Sequence, residues 1–176
     1  MTTHKHDFAN APVLVEELAP AARFSLRVRP DHRAALAQAL GVDLPARIGD
    51  RAVSDGREAL CLGPDEWLVT APEAAAIAAT AAAVYATAPH SLTEISDREI
   101  TLRLTGPQVL DLLATGCPRD VAALAEGRGC RTVFDSATVT LWRDAETEFR
   151  MDVWRSFAPH VRSLLAQAEA ELIAGL

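Results

Sequence analysis

Ile100-Thr101-Leu102-Arg103-Leu104 alternates apolar and polar side chains, and about 76 residues earlier Phe24-Ser25-Leu26-Arg27-Val28 does the same, Leu26-Arg27-Val28 answering Leu102-Arg103-Leu104. Alternation with a period of two marks a strand with one buried face. Each run leads into a helical stretch. Pro30 opens one that reaches about Leu40 and stops at Gly41; after the turn Gly106-Pro107, Val109 to Thr115 forms a shorter one that stops at Gly116. A hairpin comes next in both halves. Ala59–Leu62 and Trp67–Val69 flank Gly63-Pro64-Asp65-Glu66, while Ala137–Trp142 and Glu148–Trp154 flank 143–147. Helices then start at Pro72 and Pro159. Strand, helix, hairpin, helix is thus written twice, which predicts an α+β fold with internal duplication: two related lobes of antiparallel sheet with covering helices. The expected organisation is a tail over 1–20, then a single compact domain over 21–176 made of pseudo-repeated lobes at about 21–90 and 91–176.

Composition narrows the function classes. The chain has 176 residues, 49% of them hydrophobic, and a formal charge of −7. That balance fits a globular protein with one core or two fused lobes and argues against nucleic acid as a partner. The longest apolar run, Ala71 to Ala88, is mostly alanine and is interrupted by Glu73, so no membrane span is expected. Met1 to Asn10 is polar and lacks the apolar centre of a secretory signal. Within the tail, Phe8, Val13, Leu14 and Leu18 are available as apolar anchors. Cys61, Cys117 and Cys130 show no paired spacing, and reduced thiols point to the cytoplasm.

Groups that could do chemistry are few. Cys117 precedes Pro118 and Arg119; a helical turn opened there would place the thiol at its amino end and favour thiolate. A small buried thiol under a turn explains the same residue without a reaction. His4, His6, His32, His90 and His160 are scattered, with no helical pair or neighbouring cysteine to complete a metal site. No glycine-rich phosphate loop follows a strand, so no dinucleotide site is expected in this chain. Asp97 and Arg98 precede the strand at Ile100 and fit a geometric or interface role. Trp154, Arg155 and Phe157 combine aromatics and a cation at a strand-to-helix corner, the composition of an interface hot spot. Trp154 alternates in phase with Asp152 and Arg150; with those two in solvent, Trp154 is exposed too, and Met151 and Val153 fill the core. The candidate interface residues are therefore Trp154, Arg155, Phe157, Asp97 and Arg98. No catalytic, cofactor-binding or metal-ligating residue is assigned.

Three words in order, Ser96-Asp97-Arg98, Gly116-Cys117-Pro118-Arg119-Asp120 and Met151-Asp152-Val153-Trp154-Arg155-Ser156-Phe157-Ala158-Pro159-His160-Val161, resemble the gamma subunit of heterotetrameric sarcosine oxidase. Leu62-Gly63-Pro64-Asp65-Glu66-Trp67-Leu68 matches more loosely. The resemblance implies a fold like the folate-binding domain of aminomethyltransferases such as the glycine-cleavage T protein. It implies a structural chain assembled with alpha, beta and delta subunits, which would carry FAD, NAD, a folate domain, FMN and zinc. Their joint reaction would be oxidative demethylation of sarcosine to glycine, with oxygen reduced to peroxide and the one-carbon unit passed to tetrahydrofolate. The enzyme-class alternative is a free-standing folate-dependent transferase or repair protein using Asp97 or Cys117, and a third reading is a homo-oligomeric scaffold.

Overall fold

The computed structural model describes residues 12–175. In chain order the elements are β1 (Leu14–Glu17), β2 (Ala22–Val28), α1 (Pro30–Leu40), β3 (Arg51–Ser54), β4 (Arg57–Gly63), β5 (Glu66–Ala71) and α2 (Ala74–Val84), then β6 (His90–Glu94), β7 (Glu99–Thr105), α3 (Val109–Ala114), β8 (Gly129–Phe134), β9 (Ala137–Ala145), β10 (Glu148–Trp154) and α4 (Ala158–Ala174). They fall into two compact units. The described part of one comprises 12–18, 100–126 and 132–175; the other comprises 19–99 and 127–131. The lobe boundary expected near residue 90 thus gives way to one at Glu99/Ile100, and 127–131 goes with the earlier half.

Each sheet has five strands, ordered β3-β4-β5-β2-β6 in one and β8-β9-β10-β7-β1 in the other. The orders are equivalent position for position. Both hairpins carry the same irregularity: Gly63 pairs with Glu66 and Cys61 with Trp67, passing over Leu62, while Ala145 pairs with Glu148 and Arg143 with Phe149, passing over Asp144. A bulge of this kind twists a ribbon and re-aims its side chains. The fifth strands follow a less obvious rule. β1 precedes β2 in the chain but pairs with β7; β6 precedes β7 but pairs with β2. Their rungs also correspond, Leu26 facing Leu92 as Leu102 faces Glu17, and Val28 facing His90 as Leu104 faces Val15.

The sequence reading treats 1–20 as a tail, yet Leu14–Glu17 is a strand. The reason lies just ahead of it. Val13 is completely buried, the Gln108 amide donates to the Pro12 carbonyl at 3.1 Å, and the Leu18 amide donates to Thr101 O at 2.9 Å. Phe8 lies outside the described residues. Strands β3, β6 and β8 are likewise additions to the sequence reading, and α2 begins at Ala74 rather than Pro72.

In the 19–99 unit, Phe24 and Leu26 of β2, Leu36 and Leu40 of α1, Trp67 and Val69 of β5, and Ile77 and Ala81 of α2 form one buried cluster. Side chains of this size contribute about 1.5–3 kcal/mol each when fully buried. The Trp67 indole NH is not orphaned; it donates to Pro45 O at 2.9 Å. Gly41 ends α1 in the left-handed region, at φ 66°. In the other unit, Leu102 and Leu104 of β7, Phe149, Met151 and Val153 of β10, Leu112 and Leu113 of α3, and Val161 and Leu165 of α4 are buried. On α4, Ala168 is buried with Val161 and Leu165, and Leu164 and Leu172 are half-buried beside them.

Gly106 is indispensable where β1 enters. Its φ is 144°, and a Cβ there would lie 2.4 Å from the Pro12 carbonyl oxygen and 2.8 Å from Val13 Cα. Backbone strain and overpacking act together at this site, so Gly106→Ala is expected to cost about 2 kcal/mol or more. The corresponding fall in melting temperature is about 4–8 °C, measured by circular dichroism.

The β4–β5 turn supplies a pH-dependent contribution. Glu66 accepts from Arg131 at 2.5 Å and from Arg27 at 3.1 Å. The Arg131 hydrogen bond, ahead of the partial burial that opposes it, holds the Glu66 carboxyl below its ordinary 4.5. A depressed carboxylate stabilises the fold above its unfolded pKa, and that contribution vanishes as pH falls through the folded value. Arg131→Ala therefore melts below wild type at pH 6, and the gap closes as the pH is taken from about 4.5 towards 3. A gap of constant size across that range excludes the ion pair as its source.

Candidate functional site

Trp154 is the last residue of β10 and Phe157 immediately precedes α4; their side chains are 43% and 40% exposed. The corner between them is fixed by backbone bonds. Phe157 N donates to Trp154 O at 2.8 Å, and Val161 N donates to Phe157 O at 3.0 Å. Pro159 sits in the first turn of α4, where its missing NH leaves nothing unpaired, and Ala158 and Val161 are buried beneath the turn. Arg155 lies between the two aromatics and is exposed. Strand end and helix start thus hold two rings and a guanidinium in a short span.

The premise by which exposure of Trp154 was expected does not hold. Asp152 is 4% exposed, and Arg150 is largely buried. Asp152 Oδ1 accepts from the Thr101 hydroxyl at 2.5 Å and its Oδ2 accepts from the Trp142 indole NH at 2.6 Å. Arg150 lies over the Trp142 ring, 5.1 Å from its centroid, and makes a two-pronged bond to Asp144 at 2.7 and 3.0 Å. The polar face of β10 is therefore a buried network, and Trp154 is exposed because the strand runs out beyond it. Nothing in the alternation of β10 distinguishes this buried Asp152 from a solvated one, since Arg27 has the same apolar neighbours in β2 and is exposed.

Gly116-Cys117-Pro118-Arg119-Asp120 is a shape rather than a nucleophile site. No helix follows Pro118, so the expected amino-end activation of Cys117 is lost; the thiol is buried, 3.7 Å from the Thr132 hydroxyl. Gly116 is required because a Cβ there would meet the Phe134 ring at 2.9 Å. Asp120 Oδ1 accepts from the amides of Ala122 and Ala123 at 3.1 and 3.2 Å, which closes the turn. Arg143, buried over the Phe149 ring, donates to the carbonyls of Ala122 and Leu124 at 3.0 and 2.7 Å. One cation thus fastens this turn to the β9–β10 hairpin.

Asp97 and Arg98 lie in the β6–β7 turn. Arg98 donates to Glu99 Oε1 at 2.8 and 3.2 Å, Ser96 Oγ accepts from Arg23 N and donates to Glu94, and Asp97 is exposed. An open depression of about 450 Å³ is lined by 94–98. His160, one turn into α4, bonds Asp135 at 2.9 Å, and that bond, followed by those from Ser136, lowers the Asp135 pKa. Among the described residues no cluster of three or more His, Cys, Asp or Glu is placed to hold a metal, and no helix is long and apolar enough to cross a membrane.

Comparison with known proteins gives these features a context. Residues 27–171 match the model of the sarcosine oxidase, gamma subunit family. A sarcosine oxidase subunit gamma from Arthrobacter sp. is 33% identical over 164 residues, which span 90% of this chain and 81% of that one. The heterotetrameric sarcosine oxidase from Corynebacterium sp. U-96, solved in complex with pyrrole 2-carboxylate, contains a chain that superposes with a TM-score of 0.85 at 32% identity, over 93% of this chain and 87% of its own. The glycine cleavage system aminomethyltransferase T from Bartonella henselae superposes with a TM-score of 0.68 over 88% of this chain and 45% of its own; at 17% identity that likeness is one of fold, and it is the fold expected from sequence. With a family model spanning most of its length and close relatives along nearly all of it, the chain belongs to the sarcosine oxidase gamma subunit family.

Proposed function

We propose that the chain is a non-catalytic subunit of a sarcosine oxidase and that the Trp154–Phe157 corner docks it onto a flavin-bearing partner. The observation that carries this reading is a comparison internal to the molecule. The equivalent strand-to-helix corner in the other unit runs from Ala71, the end of β5, to α2 through Pro72 and Glu73. That corner links strand to helix through two residues with an extended cap at Glu73, where 155–157 are three residues with Phe157 in the helical region, and it carries no aromatic side chain. A strand-to-helix corner of this fold thus forms without a tryptophan and a phenylalanine left two-fifths exposed. Exposed aromatics flanking an arginine are the residue types that dominate binding energy at protein interfaces. Asp97 and Arg98, exposed residues of the β6–β7 turn in the other unit, are proposed as a separate partner contact.

In this reading alpha, beta and delta subunits supply FAD, FMN, NAD, zinc and the tetrahydrofolate site. The complex oxidatively demethylates sarcosine to glycine in the cytoplasm, a compartment in keeping with three free cysteines. Co-expression of tagged chain with flavoprotein subunits from the same source tests it: a yellow eluate that releases peroxide on addition of sarcosine is expected. A colourless, solitary chain beside well-folded flavoproteins sinks the proposal and makes folate titration of the isolated chain the next measurement. Within an intact complex, Trp154→Ala is expected to weaken capture of the flavoprotein by about thirtyfold, a loss of about 2 kcal/mol, with the circular dichroism of the free chain unchanged. Unaltered capture removes the corner from the interface.

A further inference from the structure

The pairing of β1 and β6 says more about the chain than its family does. Strands β1 and β2 are joined by four residues, Leu18–Ala21, yet they do not pair with each other. Consecutive antiparallel strands with so short a link ordinarily form a hairpin. Here the link, which contains Pro20, runs on instead of folding back. β6 and β7, separated by 95–98, behave in the same way. Each repeat therefore starts with a strand that completes the sheet of the other repeat, on corresponding rungs. This is the arrangement that two copies of a half-length unit reach by exchanging their first strands, here written into one chain.

The β1 arm is also the more detachable of the two. It lies at the end of its sheet, so its backbone is laddered on one side, to β7. Its side chains are half-buried at Leu14 and Val15 and exposed at Glu16 and Glu17; Val13 alone is completely buried. The remaining ties are the Pro12 and Leu18 backbone bonds and an exposed ion pair between Glu17 and Arg162. All of these contacts are reproduced without change when an identical arm arrives from another molecule, which is why exchange of an identical element costs little.

We propose that this chain is a fused strand-exchanged pair whose β1 arm, residues 12–17, is exchangeable with that of a second copy of the chain on the outer edge of β7. The four-residue link holds its own arm at an effective concentration of the order of millimolar, so exchange is minor at micromolar chain and grows as the chain approaches that value.

Glu16 and Arg103 are directly opposed on the β1–β7 ladder, and neither is buried. Full-length chain carrying Glu16→Cys is mixed with full-length chain carrying Arg103→Cys, unfolded and refolded together under reducing conditions, and then oxidised. A 16–103 disulfide between different molecules marks one copy's arm lying on the other's β7 when it exceeds the 16–16 and 103–103 homodimers, which report chance collision alone. The covalent heterodimer is expected to rise about tenfold or more between about 10 µM and about 1 mM chain. A single chain with both substitutions, refolded dilute, is expected to close the bond internally. Internal closure with no heterodimer at the higher concentration overturns exchange, and failure of internal closure overturns the pairing on which exchange rests.

Discussion

Strands β2 and β7 each enter their sheet with one backbone edge taken by β5 or β10 and the other open, and satisfying that open edge is the constraint on which the topology rests. An unpaired row of amides and carbonyls next to a core is costly and invites pairing with other chains. Neither β2 nor β7 uses the strand nearest to it in sequence. The link at 18–21 carries the chain from β1 to β2, and the turn at 95–98 from β6 to β7, without pairing either couple. Each edge is then filled by the strand from the other repeat, and Gly106 is a glycine because Pro12 must pass within 2.4 Å of where its Cβ would be.

The elements that bury a face were legible in the sequence. β2, β7, β9 and β10 carry apolar alternation or apolar runs, α1 begins and ends where Pro30 and Gly41 require, and both hairpins stand out by their turn residues. What was hidden are the edge strands. β6, His90-Ser91-Leu92-Thr93-Glu94, buries almost nothing, and β3 has four residues with none fully buried. A strand held by one ladder and little burial leaves only a weak periodic trace. β1 reads as a tail for the same reason: its apolar content is Leu14 and Val15, and what fixes it is a distant glycine. Pairing of this kind is a property of two segments, and no window along one of them displays it.

The candidate site was legible in its residue types and less so in its surroundings. Trp154 and Phe157 could be singled out because the chain has few aromatics, but the face they occupy was inferred from the assumption that Asp152 and Arg150 are solvated. Both belong to a buried polar network in which Thr101, Trp142 and Asp144 satisfy them. Alternation alone does not tell the two cases apart: Arg27 lies between buried Leu26 and Val28 and is exposed, whereas Asp152 lies between buried Met151 and Val153 and is itself buried. Cys117 makes the same point. Its neighbours are explained by ring packing at Gly116 and amide capping by Asp120, so the motif has a physical cause that needs no reactive thiol.

A duplicated fold carries its own control, because the two copies of a corner face the same geometric problem. Residues common to both solutions are those that the turn itself demands; residues present in only one answer to something else. Strand end and helix start are required twice, whereas the prolines differ in place: Pro159 lies in the first turn of α4 and Pro72 precedes the cap of α2. The aromatics appear once. The second copy also follows its corner with the longer helix, 17 residues against 11, which buries Val161, Leu165 and Ala168 below the exposed turn. That support matters for binding. A ring carried on a corner already fixed by β10 and α4 loses little freedom when a partner covers it, so more of its burial is available as affinity. In the docking proposed above, that fixed corner and the divergence between the repeats are the two reasons for placing the partner at 154–157 rather than at the turn 71–73.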